Sequence, residues 1–157
     1  MTISVRRATP EDAQEVLRLR QVMIDSMAGA DPSVAWHAES LPLLRAKLAE
    51  PRGSFAAFVV DHPQRPGALA ALVAGTIDYR IGKAGDPHGT VGYVFSVATD
   101  PDARRRGYAR ASMEALVEWF RERGARRVHL TASAQAEPLY VSMGFWPKPD
   151  PLLELFL

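Results

Sequence analysis

The sequence predicts one mixed α/β domain of the α+β type, with a mostly antiparallel central sheet, helices on both faces and one parallel strand pair. A chain of 157 residues with 47% hydrophobic residues can bury one sizeable core, and no linker divides it. Apolar periodicity gives the order β-α-α-β-β-β-α-β-α-β. Strands joined by short turns pair antiparallel, whereas a strand–helix–strand connection makes a parallel pair. We therefore expect a single domain over residues 1–157.

The first third of the chain predicts a strand and two helices. Residues 3–8 alternate as a strand does. Thr9 is a suitable N-cap and Pro10 a suitable first residue for a helix that runs to about Met27. A second helix is expected over residues 33–50, with Pro42 kinking it or dividing it in two.

The middle and end of the chain predict the rest of the sheet. Strands are expected at residues 55–61, 68–79 and 91–99. The clearest amphipathic helix follows Gly107 and stops at Gly124. A strand at 127–132, a short helix at 136–143 and a final, weakly alternating strand at 152–157 complete the pattern.

Composition excludes several classes of protein. The absence of cysteine excludes a disulfide framework, a zinc–thiolate site and a cysteine nucleophile. A net charge of +1 gives no sign of a nucleic-acid partner. No apolar leader or spanning segment is visible, so we expect a soluble cytoplasmic protein without a membrane partner.

A dense positive cluster stands where a strand is expected to turn into a helix. Arg104, Arg105 and Arg106 are followed by Gly107 and by the small residue Ala109. A helix start leaves backbone N–H groups unpaired and carries the positive end of the helix dipole, which suits a phosphate. Glycine lets a ligand approach the backbone closely, and arginine stays charged. The pattern predicts a pyrophosphate cradle, with a merely solvated turn as the alternative.

Other phosphate-binding motifs are missing. The order G-x-x-x-x-G-K-[ST] does not occur, and neither does G-x-G-x-x-G. Instead "RRRGYA" resembles the R/Q-x-x-G-x-G/A motif of the GNAT superfamily of N-acetyltransferases, and "LYVSMGF" resembles its L-Y-x-x-x-G-F signature. The matching residues are Arg104, Gly107, Ala109, Leu139, Tyr140, Gly144 and Phe145.

The resemblance implies acetyl-CoA as acetyl donor and no metal ion. It places the pyrophosphate on the amides from Arg105 to Ala109, Tyr108 included. It places the pantetheine arm beside the preceding strand, at Val97, Ala98 and Thr99. In this family that strand carries a bulge, which splays it from the next parallel strand and aims an N–H at the thioester carbonyl.

The resemblance also assigns a catalytic acid. Tyr140 would protonate the departing thiolate, since a tyrosine near its reference pKa of about 10 keeps its proton at neutral pH. The alternative is that Tyr140 only packs beside Leu139. Many relatives have an asparagine seven residues before this tyrosine, where this chain has Ser133, so we expect a weaker cofactor contact there.

The general base is not evident from the sequence. Candidates are His129, Tyr93, Ser96 and Asp78, whereas His88 is expected to be a solvated loop residue. Because no nucleophilic triad is visible, direct attack on bound acetyl-CoA is the simpler mechanism.

The acceptor is expected on the side of the first two helices. These helices offer Arg20, Met23, Met27, Trp36 and His37, although the two methionines also fit a core. We favour a small-molecule amine; a protein N-terminus or lysine stays open, as does a homodimer. Two other classes are weighed against an enzyme: a non-catalytic acyl-CoA-binding module and a nucleic-acid-binding domain.

Overall fold

The computed structural model describes residues 2–157 and shows a five-stranded mixed sheet whose strands lie side by side in chain order. The first four strands pair antiparallel, and the fifth pairs parallel to the fourth. The strands are β1 (Arg6–Arg7), β2 (Phe55–Asp61), β3 (Leu69–Tyr79), β4 (Thr90–Thr99) and β5 (Arg127–Leu130). The helices are α1 (Ala13–Asp25), α2 (His37–Leu48), α3 (Tyr108–Glu122) and α4 (Glu137–Ser142). The predicted fold class is confirmed.

Helices cover both faces of the sheet. On one face, α1 packs Val16 and Leu19 against Leu72 of β3. On the other, α3 packs Met113, Leu116 and Phe120 against Val73, the next residue of β3. Neighbouring strand residues point to opposite faces, so β3 is buried on both sides from Leu69 to Gly75.

Two glycines let α3 lie close to the sheet. A Cβ atom at Gly75 would stand 2.6 Å from the Phe120 ring, and one at Gly92 would stand 2.7 Å from it. Only a residue without a side chain fits beneath this ring at either position. Phe120 is fully buried as a result.

The N-terminal elements are shorter than the sequence predicts. Only Arg6 and Arg7 of the first strand pair with β2, and a 3-10 turn at Pro10–Asp12 precedes α1. The second helix begins at His37 rather than at residue 33, because Asp31 and Ser33 side chains accept hydrogen bonds from backbone N–H groups and form turns. Pro42 lies inside α2 without dividing it.

The predicted final strand at residues 152–157 is wrong. This segment has no regular secondary structure, and its five large apolar side chains are more than 70% exposed. Alternate residues before it, Pro147, Pro149 and Pro151, lack backbone N–H groups, so this stretch cannot donate a ladder of hydrogen bonds to β5. Within residues 2–157, no helix is both long and apolar enough to cross a membrane.

Candidate active site

The turn between β4 and α3 forms a cluster of free backbone donors. After a 3-10 turn at Pro101–Ala103, the chain passes through Arg105 at φ 65° and Gly107 at φ 82°. None of the N–H groups from Arg105 to Ala109 donates a hydrogen bond within residues 2–157. Left-handed φ values in a residue other than glycine are strained, and such strain is typical of ligand-binding sites. The turn thus presents amides and a helix N-terminus together, which suits an anion.

The three arginines of this turn are available to a ligand. Arg104, Arg105 and Arg106 are exposed, and none pairs with a carboxylate in the described part of the chain. Beside Gly107 there is open room, since a Cβ atom added there would meet only the Ile3 Cδ1 atom, at 3.4 Å. The Tyr108 side chain packs into the apolar cluster around Ala71 and Ala103, so only its backbone faces this turn.

An ionic network around the buried Asp100 supports the turn. Asp100 is 4% exposed, and its Oδ2 lies 2.9 Å from Arg18 and 2.5 Å from Arg65. Asp102 accepts from Arg65 at 2.6 Å and contacts His62 Nε2 at 2.9 Å. The network ties the residues just before Arg104 to α1 and to the β2–β3 hairpin.

The strand before the turn has a bulge and a free edge. The β3–β4 register shifts between Leu72 and Ala74, and opposite this shift Ser96 takes a φ of 57°. Pairing with β5 ends at Val94, which faces Leu130. Beyond this point the backbone of β4 has no partner strand on its outer edge within residues 2–157. The structure therefore contains the bulge and the splay that the family resemblance implies. We use the word splay for the stretch of β4 beyond Val94, where β5 no longer pairs with it.

Side chains along this free edge point away from it. Val97 packs into the cluster beneath α3, and Ala98 packs into the cluster beneath α1. Thr99, the last residue of β4, pairs with Ala71 on the β3 side. Backbone groups rather than side chains are what Val97, Ala98 and Thr99 offer to a ligand in the splay.

Tyr140 lies on α4 beside the splay. It is 5% exposed, belongs to the cluster that contains Val94, and meets the Phe145 ring at 6.0 Å in a T-shaped contact. Its hydroxyl makes no hydrogen bond to residues 2–157, where the only fully buried side-chain polar atom without a partner is Ser112 Oγ. The Tyr140 hydroxyl therefore keeps some contact with solvent. Burial raises the pKa of Tyr140, so it is protonated at neutral pH.

Ser133 has a local structural contact. Its Oγ accepts a hydrogen bond from the Ala136 N–H at 3.2 Å, and its carbonyl accepts from Ala136 and Glu137 at the start of α4. A serine hydroxyl that accepts one bond can still donate its proton.

The four candidate bases are in different surroundings. His129 and Tyr93 line, with Tyr140, a cavity of about 640 Å³. Burial and nearby cations, Arg127 foremost among them, lower the pKa of His129, which keeps the ring neutral and able to accept a proton. Asp78 is ion-paired with Arg80 on the surface at 3.3 Å.

The remaining candidates are fixed by other contacts. Tyr93 shares a hydrogen bond with Thr131 at 3.0 Å, and Ser96 accepts a hydrogen bond from Arg20. His88 is an exposed loop residue, as expected. A larger concavity of about 810 Å³ lies along the outer face of α3 and is lined by neither Tyr140 nor the cradle.

A buried glutamine of α1 binds the two aromatic residues at the start of α2. Gln21 of α1 is buried, and its Oε1 lies 3.1 Å from Trp36 Nε1 and 3.3 Å from His37 Nε2. Met23 packs on the core, whereas Met27 is 54% exposed. Trp36 and His37 thus stand beside α1 in a defined geometry.

Three contacts at this site leave no signal in the sequence. Arg20 and Ser96 are 76 residues apart, and Gln21 sits on the mostly apolar side of a helix where it reads as an ordinary polar residue. The Asp100 network joins three distant segments. Only the Asp-Pro turn before the arginines indicated a structured approach to the cradle.

Known proteins share this architecture. A predicted acetyltransferase from Clostridium acetobutylicum, solved with acetyl-CoA, superposes with a TM-score of 0.81 at 22% identity, over 99% of this chain and 96% of that one. A GCN5-related N-acetyltransferase from Ralstonia eutropha gives 0.80 at 25% identity, over 98% and 99%. Glucosamine-6-phosphate N-acetyltransferase from Arabidopsis thaliana gives 0.74 at 16% identity, over 99% of both chains.

Sequence comparison identifies the family directly. No protein of curated function matches the chain significantly. The model of the acetyltransferase (GNAT) family matches residues 21–145, a span that begins in α1 and includes the bulged strand, the cradle and Tyr140. Because this model matches most of the chain and the solved relatives have the same fold, this chain belongs to the GNAT family of acetyltransferases.

Proposed function

We propose that the protein transfers the acetyl group of acetyl-CoA to a primary amine of a small molecule, by direct attack within a ternary complex. The observation that carries this proposal is the free outer edge of β4 beyond Val94, which connects the cradle at Arg105–Ala109 to Tyr140. Glucosamine-6-phosphate N-acetyltransferase, which has the same fold, is by its name an enzyme of small amines.

The residues of the cradle and splay fit acetyl-CoA. Free amides and the unpaired arginines suit its diphosphate, and the unpaired backbone of Val97 to Thr99 suits the amides of its pantetheine arm. The bound thioester supplies the acetyl group. The bulge at Ser96 turns backbone groups out of the regular ladder, and such a group suits the role of donor to an oxyanion.

The reaction needs two proton transfers. The amine nitrogen attacks the carbonyl carbon, a C–N bond forms and the C–S bond breaks, and the acetylated nitrogen loses one proton. The departing thiolate takes a proton, for which Tyr140 is the best-placed donor, because burial keeps it protonated. His129, neutral beside Tyr93 in the same cavity as Tyr140, is the leading acceptor for the proton from nitrogen.

The first test is thermal unfolding with and without acetyl-CoA. Ligand at about 100 times its dissociation constant adds roughly 2.7 kcal/mol to stability. At about 2–4 °C per kcal/mol, the midpoint should rise by roughly 5–11 °C. No rise at saturating acetyl-CoA would refute the proposal, and salt-dependent nucleic-acid binding would then be tested.

The second test is turnover over a panel of amines, followed as release of free thiol. Tyr140→Phe should lower kcat by about 10²-fold or more, while the acetyl-CoA-dependent rise in midpoint stays. Tyr79→Phe is the matched control, since Tyr79 is 76% exposed at the end of β3. Binding without turnover on any amine would identify a non-catalytic acyl-CoA-binding module. Equal kcat in wild type and Tyr140→Phe would remove Tyr140 as the acid.

A further inference from the structure

Arg20 differs from the other arginines that are partly buried. Among residues 2–157 this group has five members: Arg6, Arg7, Arg18, Arg20 and Arg127. Three of them bind carboxylates, and Arg7 lies 5.6 Å from the centre of the Trp119 ring. Arg20 has neither kind of partner in the described residues; its one hydrogen bond goes to the Ser96 hydroxyl.

The environment of Arg20 leaves its charge uncompensated. Burial alone lowers the pKa of Arg20, with no charged group contributing to the shift. The guanidinium nevertheless stays protonated at neutral pH and has five N–H donors in a planar fork, of which Ser96 satisfies one. A half-buried charge without a counter-ion is costly, and an anion that supplies two acceptor oxygens removes that cost.

The position of Arg20 places this charge at the reacting end of the splay. It reaches from α1 to Ser96, the residue that forms the bulge in β4. Between Ser96 and the cradle lie three more strand residues, about 10 Å at roughly 3.3 Å each, and then the turn that carries Arg104 to Arg106. The contact of Arg20 with Ser96 is therefore separated from the cradle by the end of β4 and the 3-10 turn.

We propose that Arg20 binds an anionic group of the acceptor, so that the preferred substrate is a small amine that also carries a carboxylate or a phosphate. This inference rests on the proposed acetyl transfer to a small amine. Gln21, the next residue of α1, holds Trp36 and His37 beside the same helix. Both anions match the fork of a guanidinium in two parallel hydrogen bonds.

The test compares pairs of amines in which one member carries the anion and the other lacks it. The pairs are phenylalanine with phenylalaninamide, and phosphoethanolamine with ethanolamine, each at saturating acetyl-CoA. In the wild type, kcat/KM should favour at least one anionic member by about 10- to 100-fold, the range of a hydrogen bond to a charged group. The first pair reports a carboxylate and the second a phosphate.

Variants separate recognition from support of the strand. In Arg20→Met the ratio of kcat/KM within each pair should fall by about 10- to 100-fold from its wild-type value, mainly through KM of the anionic member. Arg20→Lys should retain part of the ratio. Arg45→Met, which removes an exposed and unpaired arginine from α2, is the matched control and should leave the ratio unchanged. If Arg20 only supported the bulge, Arg20→Met and Ser96→Ala would each lower kcat by the same factor for both amines of a pair. The ratio of kcat/KM within the pair would then stay at its wild-type value.

A binding measurement makes the outcome independent of turnover. With saturating CoA present, inorganic phosphate or acetate should raise the unfolding midpoint of the wild type but not of Arg20→Met. If amines are acetylated and the ratios are about 1 in the wild type, this inference is overturned while acetyl transfer stands. If no amine is acetylated, the binding measurement decides: no Arg20-dependent rise with either anion overturns the inference, and the missing acetylation counts against the proposed function separately.

Discussion

Replacing Gly107 with alanine separates two roles of this residue: its left-handed backbone conformation and the open room it leaves in the cradle. At a φ of 82° a side chain is strained, and the added Cβ would contact only Ile3 Cδ1, at an ordinary 3.4 Å. The change therefore costs the folded protein about 1–2 kcal/mol of backbone strain and no steric clash. On the proposed function, the same methyl group would crowd a diphosphate that approaches the amides of the cradle.

The expected effects differ in the two measurements. The unfolding midpoint of Gly107→Ala should drop by about 2–8 °C, the product of that strain and about 2–4 °C per kcal/mol. The rise with acetyl-CoA, roughly 5–11 °C in the wild type, should shrink much further than the strain explains.

Gly124→Ala is the matched control. Gly124 follows the other end of α3 at a φ of 88°, and nothing lies within 4 Å of a Cβ there. The unfolding midpoint of Gly124→Ala should fall by a similar amount, while the rise of this midpoint with acetyl-CoA stays as in the wild type. Both variants are measured by thermal unfolding over an acetyl-CoA titration. A response in Gly107→Ala equal to that in Gly124→Ala would refute the assignment of the cradle.

Two further predictions concern the ionic contacts. Asp100→Asn should lower the free energy of unfolding by about 2–4 kcal/mol, because a side chain that is 6% exposed loses its charge beside Arg18 and Arg65. Urea denaturation measures this loss, and the surface control Asp78→Asn should cost less than about 1 kcal/mol. Equal losses in the two variants would contradict a supporting role for the network around Asp100. Hydrogen bonds from Arg6 hold the pKa of Asp12 in the folded protein below its usual 3.8. Between that lowered pKa and 3.8, the unfolded state therefore binds more protons than the folded state does. The stability that the Arg6–Asp12 pair contributes above pH 3.8 is lost as the pH falls through this interval. Urea midpoints between pH 5 and pH 2.5 should fall more steeply in the wild type than in Arg6→Met, and parallel curves would exclude this pair as a cause.

Local patterns predicted most of the fold. The strands from Phe55 to Thr99 and the helix after Gly107 could be predicted because each buries a regular set of apolar positions. The structure confirms the bounds of these elements within one or two residues. The turn that we propose as the cradle could be located in the sequence for a related reason. A glycine, a helix start and three arginines lie within six consecutive residues, so no knowledge of the tertiary structure was needed.

Features that depend on distant partners could not be predicted. Nothing near Arg20 in the sequence indicates Ser96 as its partner, and nothing in residues 31–36 shows that side-chain turns would delay α2. The strand prediction for residues 152–157 was wrong because local composition was its only basis. The composition of this segment favours a strand, but a strand also needs a neighbour with free hydrogen-bonding groups, and among residues 2–157 none pairs with it.

The alternation of side chains along β4 has an evolutionary consequence. Val97 and Ala98 are consecutive, yet one packs under α3 and the other under α1. On the proposed function, donor recognition belongs to the β4–α3 segment, and acceptor choice belongs to the segment around Arg20 and Trp36. Mutational drift in the second segment can redirect the enzyme to a new amine without disturbing the first. A lineage built on this scaffold can therefore diversify its substrates while inheriting one unchanged donor.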